Sequence, residues 1–292
     1  MSQLTMRRYA GPADLRAMQR LTQRIWSHTS NSHIGDQAWQ RFLHTGRESE
    51  WPTALWESGD DVVAWGWVFL PDHLELMVDP ARPALLAEVL DWFATTATAT
   101  RRTVAAIAAQ THVIAALEQH GYRPADETEF LSYQSRSLAE LPEPVLPPGF
   151  TARPMRGSED IPIRLAGNQA AWPGSRITEE SYRAVMAAWP YRTDMDWMVE
   201  APNGDAAANC LIWLDEHNRV GLLEPVGTSA RYRRMGLGRA VCLAAMHAAR
   251  AAGAREAVVY PVSGGGHVGA VPLYADLGFT PYARGLTYTT DG

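Results

Sequence analysis

The residues best suited to chemistry surround a glycine turn in the last third of the chain. Gly236 and Gly238 lack a Cβ atom, so an anionic group can approach the backbone there and φ > 0 is permitted. If a helix follows, its first turn leaves backbone N–H groups unpaired at the positive end of the helix dipole. Four arginines add positive charge around the same turn: Arg231, Arg233, Arg234 and Arg239. This combination predicts a site that binds a diphosphate.

The segments on either side of the turn are those that such a site needs. An apolar, strand-like run covers residues 221–228. The segment from Arg239 to Ala252 is rich in Ala, Leu and Met and predicts a helix that ends at Gly253. The next apolar run, 257–262, predicts another strand. Two familiar phosphate motifs are excluded, since the turn contains neither G-x-x-x-x-G-K-[ST] nor G-x-G-x-x-G after a first Rossmann strand.

A second motif, A-x-x-L-Y-x-x-x-G-F, lies downstream at 270–279. The order V-x-x-x-x-x-x-R-x-x-G-x-G, helix, strand and A-x-x-L-Y-x-x-x-G-F resembles the acetyl-CoA site of the GNAT superfamily of N-acetyltransferases, over the last third of the chain. The resemblance implies that backbone N–H groups of Val226, Gly227 and Thr228 hold the pantetheine arm and the thioester carbonyl. It implies that the pyrophosphate is held by the turn, which comprises Arg233, Arg234, Met235, Gly236, Leu237, Gly238 and Arg239.

Two side chains are candidates for proton transfer. In the superfamily the tyrosine of L-Y-x-x-x-G-F is the general acid, and Tyr274 occupies that position. A phenol with a pKa of about 10 can protonate a departing thiolate with a pKa of about 8.5. The alternative is that Tyr274 packs on a helix face. Many members of the superfamily have a carboxylate that acts as the base on the strand before the turn, and Glu224 is the carboxylate on that strand here. The alternatives are that Glu224 binds a cationic acceptor or is solvated. On a regular strand Glu224 shares a face with Val226.

Two positions near these candidates are unusual. The superfamily pattern has Asn three residues before the Ala of A-x-x-L-Y, and this chain has His267 there. His267 could replace the contact to the cofactor arm or transfer a proton; the alternative is an exposed loop histidine. Pro225 removes a ladder hydrogen bond from its strand, which indicates a bulge or an edge. The resemblance implies that the sheet parts at this strand to admit the donor; the alternative is that 223–228 is a loop.

The chain also contains a faded repeat. Thr, Arg, Gly and Asp of segment 5–15 recur in register in segment 151–161, 146 positions later in a chain of 292 residues. We expect an α/β (α+β) fold of two tandem GNAT-like domains, each a mixed, mainly antiparallel sheet flanked by helices. The predicted boundaries are a degenerate domain over 1–140, a Pro-rich linker over 141–149 and a catalytic, acetyl-CoA-binding domain over 150–292. The first copy lacks the glycine turn at 81–86 and has Leu117 in place of Tyr274, so we expect its site to be inactive.

Composition narrows the classes of partner. The net charge of −6 argues against nucleic-acid binding, which needs a basic surface. Cys210 and Cys242 are too few for a disulfide framework, and no Cys/His spacing suggests a metal site. No stretch approaches about 18 uninterrupted apolar residues, so no membrane span is expected. A cytoplasmic protein is predicted, either a monomer that acts as a pseudo-dimer or a homodimer.

These observations predict an acyl-CoA-dependent N-acetyltransferase that moves acetyl from acetyl-CoA directly to a primary amine of a small molecule, without a metal. Four aromatic residues of the segment before the turn either line the acceptor channel or fill the core: Trp172, Trp189, Tyr191 and Trp197. Two alternatives stay open, a protein N-terminal or lysine acetyltransferase and a non-catalytic CoA-binding or sensing protein.

Overall fold

Strands and helices alternate along the chain over the residues that the computed structural model describes, which are 4–43, 45–264 and 270–291. The strands are β1 (Leu4–Arg8), β2 (Thr53–Ser58), β3 (Asp61–Phe69), β4 (His73–Val78), β5 (Arg102–Ile107), β6 (Arg123–Pro124), β7 (Glu129–Ser137), β8 (Thr151–Pro154), β9 (Asp196–Glu200), β10 (Ala206–Asp215), β11 (Val220–Thr228), β12 (Glu256–Val259), β13 (Val262–Gly264) and β14 (Thr280–Thr290). The helices are α1 (Pro12–Ile25), α2 (Ile34–Leu43), α3 (Leu85–Thr96), α4 (Thr111–Gln119), α5 (Ile161–Ala171), α6 (Glu179–Ala187), α7 (Leu237–Ala251) and α8 (Val271–Asp276).

The sheet has the order β1-β2-β3-β4-β5-β14-β7-β12-β11-β10-β9-β8. Its two ends are built alike: β1 to β5 and β8 to β12 occupy corresponding positions, running inward from opposite edges. In each half one neighbouring pair is parallel, β4 with β5 and β11 with β12, and the other pairs along this path are antiparallel. The predicted fold class, two mixed and mainly antiparallel units with flanking helices, is confirmed.

The two halves exchange strands at the centre of the sheet. β7, from the first half of the sequence, pairs with β12, while β14, the last strand, pairs with β5. Tyr288 of β14 accordingly packs in the apolar core around β3, β4 and α3. Each half of the sheet therefore contains one strand from the other half of the sequence, which the sequence repeat does not indicate. The segment 141–149 contains neither helix nor strand, and the boundaries of the two domains stay a prediction.

The repeated residues make the same contacts in both halves. Arg7 pairs with Asp14 at 2.7 Å between Nη2 and Oδ1, and Arg153 pairs with Asp160 at 2.7 Å between Nη1 and Oδ2. In each case the arginine lies on the first strand and the aspartate where the first helix begins. This ion pair ties strand to helix, which explains why arginine and aspartate persist in a repeat that has otherwise diverged.

Helix α2 joins the two halves. Ala38 and Trp39 of α2 belong to the same apolar cluster as Trp213 of β10 and Leu222 of β11. Gly35 lies directly against β10, since a Cβ atom at this position would be 2.0 Å from the Cβ of Trp213. The absence of a side chain at Gly35 is therefore required for the first half to pack on the second.

We expect Gly35→Ala to destabilise the protein, because the added methyl group overlaps a buried tryptophan. Overpacking of this kind typically costs about 1–3 kcal/mol of unfolding free energy. Urea unfolding measures the effect, and the matched control is Gly174→Ala, where a Cβ atom would meet open space. If the two variants are equally stable, α2 does not pack on Trp213 as described.

Most of the predicted elements around the glycine turn are present. Strand β11 covers the predicted run at 221–228, and α7 begins at Leu237 and ends beside Gly253. The strand predicted over 257–262 is shorter: β12 ends at Val259, before Pro261. In the described part of the chain no helix is both long and apolar enough to cross a membrane.

Candidate active site

A gap opens in the sheet beside the second half of β11. The parallel pairing with β12 extends only over Val220–Leu222, whereas β11 continues to Thr228 along β10. The β10–β11 register shifts between Cys210 and Ile212, so that Glu224 and Pro225 form a bulge. The predicted bulge at Pro225 is confirmed, and the alternative that this segment is a loop is wrong. Because β12 has parted, alternate backbone polar groups of residues 223–228 face the gap.

The bulge overturns the expectation that Glu224 and Val226 share a face. Leu223 and Val226 both pack in the cluster under α7, while Leu222 belongs to the cluster on the opposite side of the sheet. An extra residue in the bulge interrupts the strict alternation of a regular strand. Glu224 lines a cavity on the side of α5, and Val226 lies on the side of α7. The carboxylate and the α7 turn are therefore separated by the plane of the strand.

The N-terminus of α7 lies next to the end of β11. Gly236 precedes the helix with φ +78°, a left-handed conformation that favours glycine. Gly238 permits close contact between helix and strand, since a Cβ atom there would lie 2.9 Å from Oγ1 of Thr228. Within the described residues, no acceptor bonds the backbone N–H groups of Leu237, Gly238 or Arg239. Unpaired N–H groups at the positive end of a helix dipole are suited to bind an anion.

The arginines of the turn differ in their surroundings. Arg233 donates to the backbone oxygens of Thr228 (3.4 Å) and Ala171 (3.3 Å), so it ties the turn to β11 and α5. Arg239 pairs with Asp276 at 2.8 Å and ties α7 to α8. Arg234 has φ +67° and is exposed, as is Met235, while Leu237 is buried in the core. The side chains of this turn therefore shape it, and its main-chain N–H groups face the site.

Tyr274 lies in α8 beside the core under α7. Its ring is 6% exposed and meets the ring of Phe279 edge to face at 5.7 Å between centroids. Burial raises the pKa of the Tyr274 hydroxyl well above its usual value, and negative charge on Cys242, Cys210 and Glu224 would add to this effect. Tyr274 therefore belongs to the core and is also close enough to Glu224 to interact with it electrostatically.

Glu224 lies among other carboxyl groups. Burial raises its pKa to about 8, and the charge of Asp36 in α2 adds to the shift. Asp36 and Glu75, both from the first half, also have raised pKa values, of about 6 and about 8, again chiefly through burial. Asp36, from the first half, is therefore close enough to Glu224 to influence its ionisation.

Glu224 lines a cavity of about 380 Å³ whose walls come from both halves. Asn168 of α5 lies in its wall and is 3% exposed, and its side-chain oxygen has no hydrogen-bond partner in the described structure. The cavity is lined by Trp39, Leu43, Arg47, Asn168, Trp172, Gly174, Ser175, Arg176, Glu224 and Pro225. A concave site with a few polar groups that point inward is typical of a small-molecule pocket.

Of the four aromatic residues considered for the channel, only Trp172 lines this cavity. Its ring lies against Gly227, where an added Cβ would be 2.5 Å away. Trp189 stacks under Arg16 of the first half, Tyr191 packs near Trp213, and Trp197 lies in a groove beside the linker. Tyr191 and Trp197 pack at the edges of apolar clusters, whereas Trp189 is 36% exposed.

Several residues of the site had not been predicted from the sequence. Asn168 and Arg176 lie in a segment without a motif, and the resemblance to GNAT proteins does not point to them. Trp39, Leu43 and Arg47 come from the first half, where the missing glycine turn predicts an inactive site. The only local signal for Asn168 is that it lies four residues after Arg164, so that both polar side chains share one face of α5.

Other predicted features have a simple outcome. His267 lies outside the described residues. Cys210 and Cys242 are free, buried thiols. Among the described residues, no group of three or more His, Cys, Asp or Glu side chains is arranged to hold a metal ion.

Comparison with known proteins finds a family match in the second half. Residues 167–279 match the Acetyltransferase (GNAT) family. The mycothiol acetyltransferase of Pseudarthrobacter chlorophenolicus is 30% identical over 58% of this chain and 54% of its own length. That of Kineococcus radiotolerans is also 30% identical, over 58% of this chain and 55% of its own. The chain thus spans about half the length of these curated relatives.

Two solved structures have the same fold over nearly the whole chain. A GCN5-related N-acetyltransferase from Sphaerobacter thermophilus superposes with a TM-score of 0.62 at 19% identity, covering 98% of this chain and 95% of its own. A tandem GNAT protein from the clavulanic acid biosynthesis pathway has a TM-score of 0.63 at 15% identity and 99% coverage of both chains. At such identities the likeness concerns the fold.

Proposed function

We propose that this protein, a member of the GNAT superfamily, is an acyl-CoA-dependent N-acetyltransferase that moves acetyl from acetyl-CoA to a primary amine of a small molecule. The observation that carries the proposal is the gap between β11 and β12. One end of the gap meets the unpaired amides of α7, and Glu224 and Tyr274 approach it from opposite sides of β11.

The donor would be held by the main chain. The N–H groups of Leu237, Gly238 and Arg239 would bind the pyrophosphate, because they lack other partners and lie at the positive end of the helix dipole. Backbone groups of Val226, Gly227 and Thr228 would hold the pantetheine arm and polarise the thioester carbonyl, because β12 no longer pairs with this segment. Acetyl-CoA supplies the activated acyl group.

The transfer would then proceed by direct attack. Glu224, once ionised, accepts a proton from the acceptor ammonium, and the free amine nitrogen attacks the thioester carbonyl carbon. As the new C–N bond forms, the C–S bond breaks and the thiolate leaves. The Tyr274 hydroxyl, kept neutral by its raised pKa, donates a hydrogen bond to the sulfur and protonates it. The nitrogen of the tetrahedral adduct gives its second proton to the Tyr274 phenolate, so the products are an amide, free CoA and the proton held by Glu224.

The cavity between the halves supports a small acceptor. Its volume of about 380 Å³ is enough for a compact metabolite, and its walls come from α2 as well as α5. The first half would thus act as one wall of the acceptor site while its own donor turn, without glycine, has no such role. Glu224 lines the cavity, and its carboxylate, once ionised, would favour an ammonium ion there.

A screen of primary amines with acetyl-CoA tests the proposal, with release of free thiol and formation of the amide as the two signals. We expect turnover with at least one small amine. Thiol release without amide would point to simple hydrolysis, and tight CoA binding without any turnover would favour a sensing protein. Turnover only with peptides that carry a free N-terminus or lysine would move the function to a protein acetyltransferase.

We expect the activity of the wild-type enzyme to fall as the pH is lowered through about 8, because a basic Glu224 must be ionised and burial raises its pKa to that value. In Glu224→Gln, kcat should drop by about 100-fold and this part of the pH profile should disappear. Measuring kcat/KM against pH with two acceptors of different amine pKa separates the enzyme group from the substrate.

Unfolding measurements give an independent check on Glu224. The folded carboxyl has a higher pKa than the value of about 4.3 in an unfolded chain, so it stabilises the fold below that lower pKa and loses this contribution as the pH rises through about 8. Glu224→Gln should therefore gain stability relative to wild type at pH 9 but not at pH 4. A pH limb near 8 that persists in Glu224→Gln would exclude this residue as the base.

A further inference from the structure

The proposed acceptor cavity is lined by groups of opposite charge that differ in burial. Glu224 and Asn168 line it, and both residue types accept hydrogen bonds through side-chain oxygens; Asn168 is buried. Two arginines with more exposed side chains also line it, Arg47 from the first half and Arg176 from the loop between α5 and α6, and we call this part the rim. A single small molecule in this space would therefore meet hydrogen-bond acceptors in the buried part and cations nearer the solvent.

The buried oxygen of Asn168 indicates that the buried part of the cavity is built to bind a ligand. Asn168 is 3% exposed, and its Oδ1 atom has no hydrogen-bond partner among the described residues. A buried acceptor without a partner costs about 1–3 kcal/mol, so such atoms are retained where a ligand or water satisfies them. A primary ammonium group has three N–H donors, which Glu224 and Asn168 could accept together.

The two arginines at the rim are not equivalent. Arg47 already pairs with Glu50 and lies near the ring of Trp51. Arg176 makes no hydrogen bond or ion pair with any residue that the structure describes, and its side chain is exposed at the mouth of the cavity. Its guanidinium is therefore available to bind an anionic group, for which its fork of N–H donors is well suited.

We propose that the acceptor is a primary amine that also carries an anionic group, with its ammonium at Glu224 and Asn168 and its anionic group at Arg176. This inference rests on the proposed acetyl transfer and specifies the substrate class for the same cavity. A carboxylate and a phosphate share the required chemistry. Charge at both ends would fix the orientation of the acceptor, so that its nitrogen lies towards the gap beside β11.

The test uses matched pairs of amines that differ only in the anionic group. Straight-chain ω-amino acids are compared with alkylamines of the same length, and aminoalkyl phosphates with the corresponding amino alcohols, each with acetyl-CoA. We expect a lower KM for the anionic member of a pair, and we expect Arg176→Gln to raise that KM by about tenfold with little change in kcat. The series with the lower KM, amino acids or aminoalkyl phosphates, shows whether the anionic group is a carboxylate or a phosphate.

Two variants exclude a merely structural effect. Arg176→Glu should weaken anionic acceptors further and improve diamines of equal length, which loss of folding would not do. Arg183→Gln removes another exposed arginine, which pairs with Glu179 on α6, and should leave all KM values unchanged. If neutral and anionic amines have similar KM values, and Arg176→Gln changes neither, the inference is wrong. The proposed acetyl transfer would still stand.

Direct binding separates this inference from the activity. If no amine is acetylated, saturation-transfer NMR with β-alanine and O-phosphoethanolamine in the presence of CoA still measures acceptor binding. If wild type binds these amines and Arg176→Gln does not, the anionic subsite is supported and the proposed acetyl transfer is rejected. No binding by wild type would reject both.

Discussion

Gly236→Val should abolish acetyl-CoA binding, with an increase of at least about 100-fold in the dissociation constant. Gly236 has φ +78° directly before α7, where a side chain costs about 1–2 kcal/mol and a β-branched one costs more. No atom lies within 4 Å of the position that its Cβ would take, so the effect is conformational and not a clash. The turn would change conformation and move the N–H groups that we propose bind the pyrophosphate.

Ala84→Val is the matched control. Ala84 precedes α3, the counterpart of α7 in the first half, with φ −60° in the right-handed region. The substitution adds the same kind of side chain to the turn that we expect to be inactive, so donor affinity should not change. Calorimetric titration with CoA compares the two variants. Loss of binding in both, or only in Ala84→Val, would contradict a single donor site in the second half.

Tyr274→Phe should lower kcat by about 100-fold or more and leave the affinity for acetyl-CoA nearly unchanged. The phenylalanine ring keeps the edge-to-face contact with Phe279, so only the hydroxyl and its proton are lost. Because the pKa of Tyr274 is raised by burial, the hydroxyl stays protonated across the accessible pH range, and its removal should not add or remove a limb of the pH profile.

Tyr288→Phe provides the control for this substitution. Tyr288 is a buried tyrosine of β14 that packs in the core of the first half, away from the gap. The Tyr288→Phe variant should retain wild-type kcat. Thermal unfolding of both variants shows whether either loses stability. Should Tyr274→Phe turn over at the wild-type rate, the packing interpretation of this residue is correct and the acid is another group or water.

The strand exchange bears on how far the halves can be separated. β14 completes the core of the first half through Tyr288, and β7 pairs with β12 next to the gap. Trp39 of α2 shares a cluster with Trp213 of β10. These contacts make the first half part of the sheet and of the proposed acceptor site, although its own turn lacks glycine.

Features that depend on the local backbone could be predicted from the sequence alone. The left-handed residue at Gly236 and the bulge at Pro225 follow from the stereochemistry of single residue types. The helix after the turn follows from its own composition. The repeat of Arg and Asp predicted two copies of one fold, and in the structure these residues form the same strand-to-helix ion pair in each half. In each case the determining interactions lie within a few residues.

The tertiary structure alone decided how the site is completed. The bulge turned Glu224 away from the face of Val226, and burial against the first half raised its pKa to about 8. The arrangement of Trp39, Asn168 and Arg176 around one cavity, and the exchange of β7 and β14, depend on contacts between residues far apart in the chain. The local pattern of residue types does not encode such contacts, because pairing register, desolvation and cavity shape arise only when the two halves pack together.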